Sequence, residues 1–251
     1  MPEKTAYQPG EPIWTDLATP DMDRTVAFYT SLLGWEFGGG SEEFGGYGMF
    51  TKNGKSVAGV MPVMSPEQPP VWTSYVTSSD ADKTIALVTE RGGTVLAPPM
   101  DVADLGRMAV FTDPVGAAIG IWQPGTMTGA ELVDEEGVMS WIELASRDQD
   151  TAIPFYEQVF GWETHRNPGY TEFATGGRSV AGCMDMPEMV PAEVPSYWMP
   201  YVQAGDPAAK AQEAASLGAT VLVPFMEMEQ VAFSVVQDPH GSTFGLLNVK
   251  E

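Results

Sequence analysis

The chain has 251 residues, with 34 Asp and Glu against 12 Lys and Arg, for a formal net charge of −22. That balance argues against nucleic acid and anionic membrane, both bound through basic patches, and its field would draw cationic small molecules more than anionic ones. A single cysteine, Cys183, cannot close an internal disulfide, and Met1 to Gly10 is polar with no apolar leader. The expectation is a cytoplasmic monomer or homodimer whose partner is a small molecule.

In chain order, Pro12–Ala18 reads as a strand. A helix follows from Asp21 or Asp23 through Val26, Tyr29 and Leu32, and Gly34 stops it. Strands are expected around Tyr47–Thr51 and Ser56–Val60, and the Met- and Pro-rich stretch Met61–Pro70 reads as a loop. The pattern then restarts with a strand at Val71–Thr77, a helix at Asp80–Arg91 and a stop at Gly92-Gly93. Strands at Thr94–Leu96, Met108–Thr112 and Ala117–Trp122 complete it, the last two joined by an Asp113-Pro114-Val115-Gly116 hairpin. Pro124 to Gly137, containing Asp134-Glu135-Glu136, reads as a polar linker.

Beyond the linker the text repeats. Trp14-Thr15-Asp16-Leu17-Ala18 returns as Trp141-Ile142-Glu143-Leu144-Ala145, and Phe28-Tyr29 with Gly34-Trp35 returns as Phe155-Tyr156 with Gly161-Trp162. Ser56-Val57-Ala58-Gly59 returns as Ser179-Val180-Ala181-Gly182, and the hairpin returns as Asp238-Pro239-His240-Gly241. Asp206-Pro207 opens the last helix and Gly218 closes it. Pro154 falls in the third helix and is expected in its first turn, or else the helix starts late. Met184–Pro195 matches the earlier Met/Pro loop. The reading is α+β: four β-α-β-β-β modules making two tandem domains, 1–123 and 139–251, around a linker at 124–138. Each half would form a curved mixed sheet with helices outside and a concave face free to bind.

Taken together and in order, these pieces resemble the vicinal oxygen chelate superfamily of glyoxalases, extradiol dioxygenases and bleomycin-resistance proteins. Within it, the layout is similar to two-domain glyoxalase-like proteins of actinobacteria. The resemblance implies a metal held by a His or Gln on the strand that opens a module and by acidic or His side chains further on. Those positions fall here on Trp14, Trp72, Trp141 and Trp198, on Met49 and Glu172 mid-module, and on Gly120 and Gly245 near the end. Indole and glycine donate no lone pair, so the expectation is no metal and no cofactor. A two-residue slip in register would instead put Asp16 and Glu143 into the cups.

Four tryptophans opening four modules would suit a hydrophobic aromatic ligand, cationic ones included, through stacking and cation–π attraction. They would equally serve as plugs. Acidic residues in apolar strands are expensive unless paired, with Arg24 or Arg147 for example, or unless they face a cavity. The candidate ligand-binding residues are therefore Trp14, Asp16, Met49, Trp72, Trp141 and Trp198. Glu143 and Glu172 are the candidate catalytic carboxylates, and they favour the second half. Two function classes stay open. One is a metal-free protein that sequesters a small molecule. The other is an enzyme of the same superfamily: a metal-free isomerase, lyase or cyclase, or a glyoxalase or dioxygenase with a displaced metal.

Overall fold

A computed structural model describes residues 3–188 and 190–250. The first half runs β1 (Pro12–Thr19), α1 (Met22–Leu33), β2 (Glu36–Ser41), β3 (Tyr47–Lys52), β4 (Lys55–Pro62), β5 (Val71–Thr77), α2 (Ala81–Glu90), β6 (Thr94–Val102), β7 (Gly106–Thr112) and β8 (Ala118–Pro124). The second half repeats it as β9 (Met139–Ser146), α3 (Gln149–Phe160), β10 (Glu163–Asn167), β11 (Tyr170–Thr175), β12 (Arg178–Asp185), β13 (Tyr197–Gln203), α4 (Pro207–Ser216), β14 (Thr220–Glu227), β15 (Val231–Gln237) and β16 (Thr243–Val249).

Each half is one eight-stranded mixed sheet, ordered β2-β3-β4-β1-β5-β8-β7-β6 and β10-β11-β12-β9-β13-β16-β15-β14. The module-opening strands β1 and β5 pair antiparallel at the centre, as do β9 and β13. Each opening strand also pairs in parallel with the last strand of its own module, β1 with β4 and β13 with β16.

Side-chain chemistry sets the helix limits. The carboxylates of Asp21, Asp80, Asp148 and Asp206 each accept from the backbone N–H three residues on, satisfying a donor that has no partner inside the helix. Gly34 and Gly161 end α1 and α3 at φ 67° and 68°, in the left-handed region where a Cβ is costly. Pro154 corrects the sequence reading. It is the sixth residue of α3, past the first turn, and the helix starts on time. The carbonyl it leaves without an N–H is that of Asp150, which is exposed to water.

The helices cover the convex face of each sheet, and the two convex faces turn toward one another. Two shared cores result. In one, Phe28, Tyr29 and Leu32 of α1 pack with Ala211 and Ala214 of α4 and with Val236, Phe244 and Leu246. In the other, Ile85 and Val88 of α2 pack with Phe155, Tyr156 and Val159 of α3 and with Phe111, Ile119 and Phe173. Modules therefore pair one with two and three with four through the sheets, and one with four and two with three through the cores.

The repeated Asp-Pro-x-Gly hairpins fasten these cores. Asp113 Oδ1 accepts from the Val115 and Ala117 backbone N–H groups, and its Oδ2 accepts from Tyr156 Oη of the other half at 2.9 Å. Asp238 does the same with His240 and Ser242, and accepts from Tyr29 Oη at 3.0 Å. Trp198 Nε1 donates to Tyr156 Oη and Trp72 Nε1 to Tyr29 Oη, completing twin Trp–Tyr–Asp chains.

The segment after β8 is not a solvated linker. Leu132 and Val138 are buried in the first core, the Glu131 N–H donates to the Ser56 carbonyl, and the Gly137 carbonyl accepts from Trp35 Nε1. Its run of acids concealed the apolar residues that anchor it. The two Met/Pro stretches begin in strand, because β4 reaches Pro62 and β12 reaches Asp185, and continue as loops. Met189, in the second stretch, lies outside the described residues.

Candidate functional site

The concave faces are built on equivalent rows of residues. Across the first sheet, Met49, Gly59, Asp16 and Thr73 are successive neighbours; across the second, Glu172, Gly182, Glu143 and Met199 are. Trp14 and Asp16 share the concave side of β1, as i and i+2 must. Trp141 and Glu143 share that of β9. Of the tryptophans, Trp72 and Trp198 belong to the shared cores and donate to Tyr29 and Tyr156. They line no cup, which corrects their expected place. Each sits in an opening strand one residue out of phase with the concave side, where Tyr75 and Tyr201 stand instead.

Those tyrosines, with Tyr47 and Tyr170, are the residues the sequence reading missed. In the second cup Tyr201 Oη donates to Glu143 Oε1 at 2.7 Å, and Trp141 Nε1 donates to Tyr170 Oη at 3.1 Å. In the first, Trp14 Nε1 donates to Tyr47 Oη at 2.9 Å, and Tyr75 stands opposite Trp14 on the neighbouring strand. Each phenol lies over a glycine. A Cβ on Gly59 or Gly182 would strike the hydroxyl of Tyr47 or Tyr170, and one on Gly120 or Gly245 would enter the ring of Tyr75 or Tyr201. The pairs Tyr47/Tyr170, Tyr75/Tyr201, Gly59/Gly182 and Gly120/Gly245 all recur in the repeat, so the signal was present in the sequence.

Burial governs the protonation of these carboxyls. Desolvation pushes Asp16 up to about 7 from its ordinary 3.8, against the opposing pull of the Tyr75 phenol. Desolvation likewise raises Glu143, with Tyr201 and Tyr170 opposing it. Neither carboxyl is paired with arginine; Arg147 instead bonds the carbonyls of Pro191 and Val194. Glu172 stands two strands from Glu143, half-buried, and accepts from Ser179 Oγ. Met49, its first-half counterpart, is 41% exposed. Among the described residues no three His, Cys, Asp or Glu side chains converge as a metal site would require.

The rims of the two cups differ. Over the first, Tyr7, Leu105, Met127 and Ala130 pack on Ile13, Trp14, Tyr75 and Trp122. Trp122 Nε1 donates to the Met127 carbonyl, and the Ala130 N–H to the Ile13 carbonyl, so the segment after β8 is tied across the cup. Over the second cup, no such segment lies among the described residues. Trp141, Tyr197, Phe233 and Leu247 are half-buried around Met199 and Tyr201, and Met226 on β14 is 50% exposed beside Phe233.

Comparison with known proteins follows this division. Residues 12–121 match the model of the glyoxalase/bleomycin resistance protein/dioxygenase superfamily, and residues 141–247 match that of a glyoxalase-like domain. The chain belongs to this superfamily. It is 38% identical to "Putative glyoxylase CFP32" of Mycobacterium bovis, over 98% of both chains. It is 33% identical to the anthracycline biosynthesis protein DauV of Streptomyces sp., over 98% of this chain and 96% of that one. In fold it is similar to the Mn(II)-bound glyoxalase of Novosphingobium aromaticivorans, with a TM-score of 0.67, 18% identity, and coverage of 95% of this chain and 81% of that one. Among the described residues no helix is long and apolar enough to cross a membrane.

Proposed function

We propose that this superfamily member binds a flat, largely apolar aromatic molecule in the cup of its second half, without a metal. The observation that carries this reading is the half-buried apolar and aromatic wall of that cup, set around one buried carboxyl, beside an equivalent cup that its own chain covers. A wall of Trp, Tyr, Phe, Leu and Met around a few fixed polar groups is the usual make-up of a small-molecule site, and methionine adapts to varied shapes. The charge of −22, with Glu143 and Glu172 in the cup, favours neutral or cationic rings over anionic ones. Support also comes from the relatives named for anthracycline biosynthesis, since an anthracycline is a fused-ring aromatic.

The donor set does not fit the divalent ion that the superfamily implies. Such an ion takes several oxygen or imidazole ligands converging within about 2.0–2.2 Å. At the floor of the second cup stand one carboxyl engaged by a phenol, an indole N–H that can only donate, and glycines under the phenol rings. Glu172 is separated from Glu143 by the strand that carries Gly182.

A second reading is favoured by the upward shift of Glu143. A carboxyl raised toward neutrality and bonded to a phenol can take a proton from a bound ligand and return it at another atom. That is the chemistry of a metal-free isomerase, lyase or cyclase. Calorimetric titration with neutral, cationic and anionic polycyclic aromatics, followed by mass and NMR analysis of the recovered ligand, separates the readings. Binding with the ligand unchanged supports sequestration, and a rearranged ligand supports the enzyme. Failure of every class to bind, or preference for the anionic one, overturns the proposal.

A further inference from the structure

Glu143 stands in a row of side chains that leads from the floor of the second cup to water. Strand by strand the row runs Glu143, Gly182, Glu172 and His165, on β9, β12, β11 and β10. Gly182 carries no side chain, and the hydroxyl of Tyr170 lies over it, in the gap between the two carboxyls. Burial first, and then the charges of Glu143 and of Glu172, raise that phenol above its ordinary range. Glu172 is half-buried and accepts from Ser179 Oγ, while His165 on the edge strand is exposed.

The hydrogen-bonding capacity of each group fits passage of a proton along this row. Tyr201 Oη donates to Glu143 Oε1, which leaves Oε2 to carry the proton of the neutral acid. Tyr201 is itself 4% exposed and offers no exit. Tyr170 Oη accepts from Trp141 Nε1, keeping one lone pair free to accept and its own O–H to donate. A proton leaving Glu143 Oε2 binds that lone pair as the Tyr170 O–H proton passes to the Glu172 carboxylate. Glu143 is then ionised, Tyr170 is unchanged and Glu172 is neutral. Glu172 in turn gives the proton to water or to His165.

The first cup has the same row with its outer part removed. Asp16, Gly59 and the Tyr47 hydroxyl repeat Glu143, Gly182 and that of Tyr170, and Trp14 repeats Trp141. Met49 takes the place of Glu172, and opposite it runs the glycine-rich part of β2, where no imidazole stands. A thioether has no proton to pass. Asp16 and Glu143 are 7% and 9% exposed, so neither meets water freely, and the cups differ in what stands beyond the phenol.

Resting on the second reading of the proposed function, in which Glu143 moves a proton, we infer that Tyr170 and Glu172 are the route between Glu143 and solvent. Both act through Glu143 and are positioning residues for its proton. A ligand that fills the cup closes the path from above and leaves this lateral one open. A proton taken from the ligand then exchanges with solvent before Glu143 returns one.

The test needs no ligand. In the full chain labelled with carbon-13 at its aspartate and glutamate carboxyls, relaxation dispersion at each carboxyl's own titration midpoint measures exchange on the microsecond-to-millisecond scale. Expected is exchange at Glu143 about tenfold faster than at Asp16, and slowing at Glu143 of about tenfold in Tyr170→Phe and in Glu172→Gln. Asp16 should exchange alike in all three proteins. Glu172→Gln guards against a packing fault in Tyr170→Phe, because its position is half-buried and glutamine keeps the shape. A merely structural role for Glu172 would move stability and leave the Glu143 rate unchanged. Equal rates at Glu143 and Asp16 in the parent chain, or an unchanged Glu143 rate in Glu172→Gln, overturns the inference and leaves the binding proposal standing. Failure of the calorimetric titration overturns that proposal without altering these rates.

Discussion

In the first cup Trp14 and Trp122 are 6% and 7% exposed, whereas their counterparts Trp141 and Leu247 in the second are only half-buried. The floors are nearly alike: Tyr75 and Tyr201 are 5% and 4% exposed, and each lies against the matching glycine, Gly120 or Gly245. The repeat has preserved what holds a cup open from below, namely the phenols, the glycines under them and the carboxyl. It has let the rim diverge. A covered rim turns one cup into core, and an uncovered rim leaves the other able to exchange its occupant.

The largest contrast expected is in the pH dependence of stability. Each pKa unit is worth about 1.4 kcal/mol, and Asp16 is raised from 3.8 to about 7. The folded chain holds this proton where the unfolded chain releases it, so the Asp16 contribution is greatest below about pH 4. It declines as pH rises, and is lost above about pH 7. Melting temperatures of Asp16→Asn should fall less between pH 4 and 7 than those of the parent. Glu143→Gln should flatten the same interval less than Asp16→Asn does. Parallel curves for all three proteins would contradict the burial of both carboxyls.

Next come the glycines beneath the phenols. Gly120→Ala and Gly245→Ala each force a Cβ into a tyrosine ring, and overpacking of this kind costs about 1–3 kcal/mol. Denaturant unfolding should show similar losses for the two variants. Ligand titration should separate them, with binding lost in Gly245→Ala and kept in Gly120→Ala. A comparable effect is expected at the hairpin fastenings. Tyr29→Phe and Tyr156→Phe each remove the hydrogen bond to a buried carboxyl and the acceptor of a buried indole N–H, that of Trp72 or Trp198, at a cost of roughly 1–3 kcal/mol. Their losses should match within error, because both cores are shared by both halves. Smallest is the stability change in Glu172→Gln, near zero at a half-buried position, while affinity for a cationic ring should drop a few-fold; unchanged affinity would remove Glu172 from the site.

The fold was legible because its signals are local: capping aspartates, stop glycines, hairpin turns and alternating strands, each stated twice. Pro154 misled because the cost of proline in a helix depends on whether the orphaned carbonyl meets water, which sequence does not reveal. Glu36–Ser41 escaped notice since a Gly-rich strand has no alternation to read, and its pairing with β3 supplies the order instead. The site was half legible. Asp16 and Glu143 stood out as acids in apolar strands, and Trp14 and Trp141 share their faces. Trp72 and Trp198 were assigned by analogy of position, and a shift of one residue turns a side chain to the opposite face of a sheet. Nothing in the text distinguished a polar linker from a strap, because Leu132 and Val138 are two apolar residues among acids.

The central claim is that the ligand site is the second cup and not the first. Fluorine NMR of protein labelled with 5-fluorotryptophan tests it most directly, with the Trp14 and Trp141 resonances assigned through Trp14→Phe and Trp141→Phe. On addition of an aromatic ligand the account predicts that the Trp141 resonance moves while Trp14 stays, since Tyr7 and Met127 already cover it. Movement of Trp14 with Trp141 fixed would place the site in the first half and contradict the account.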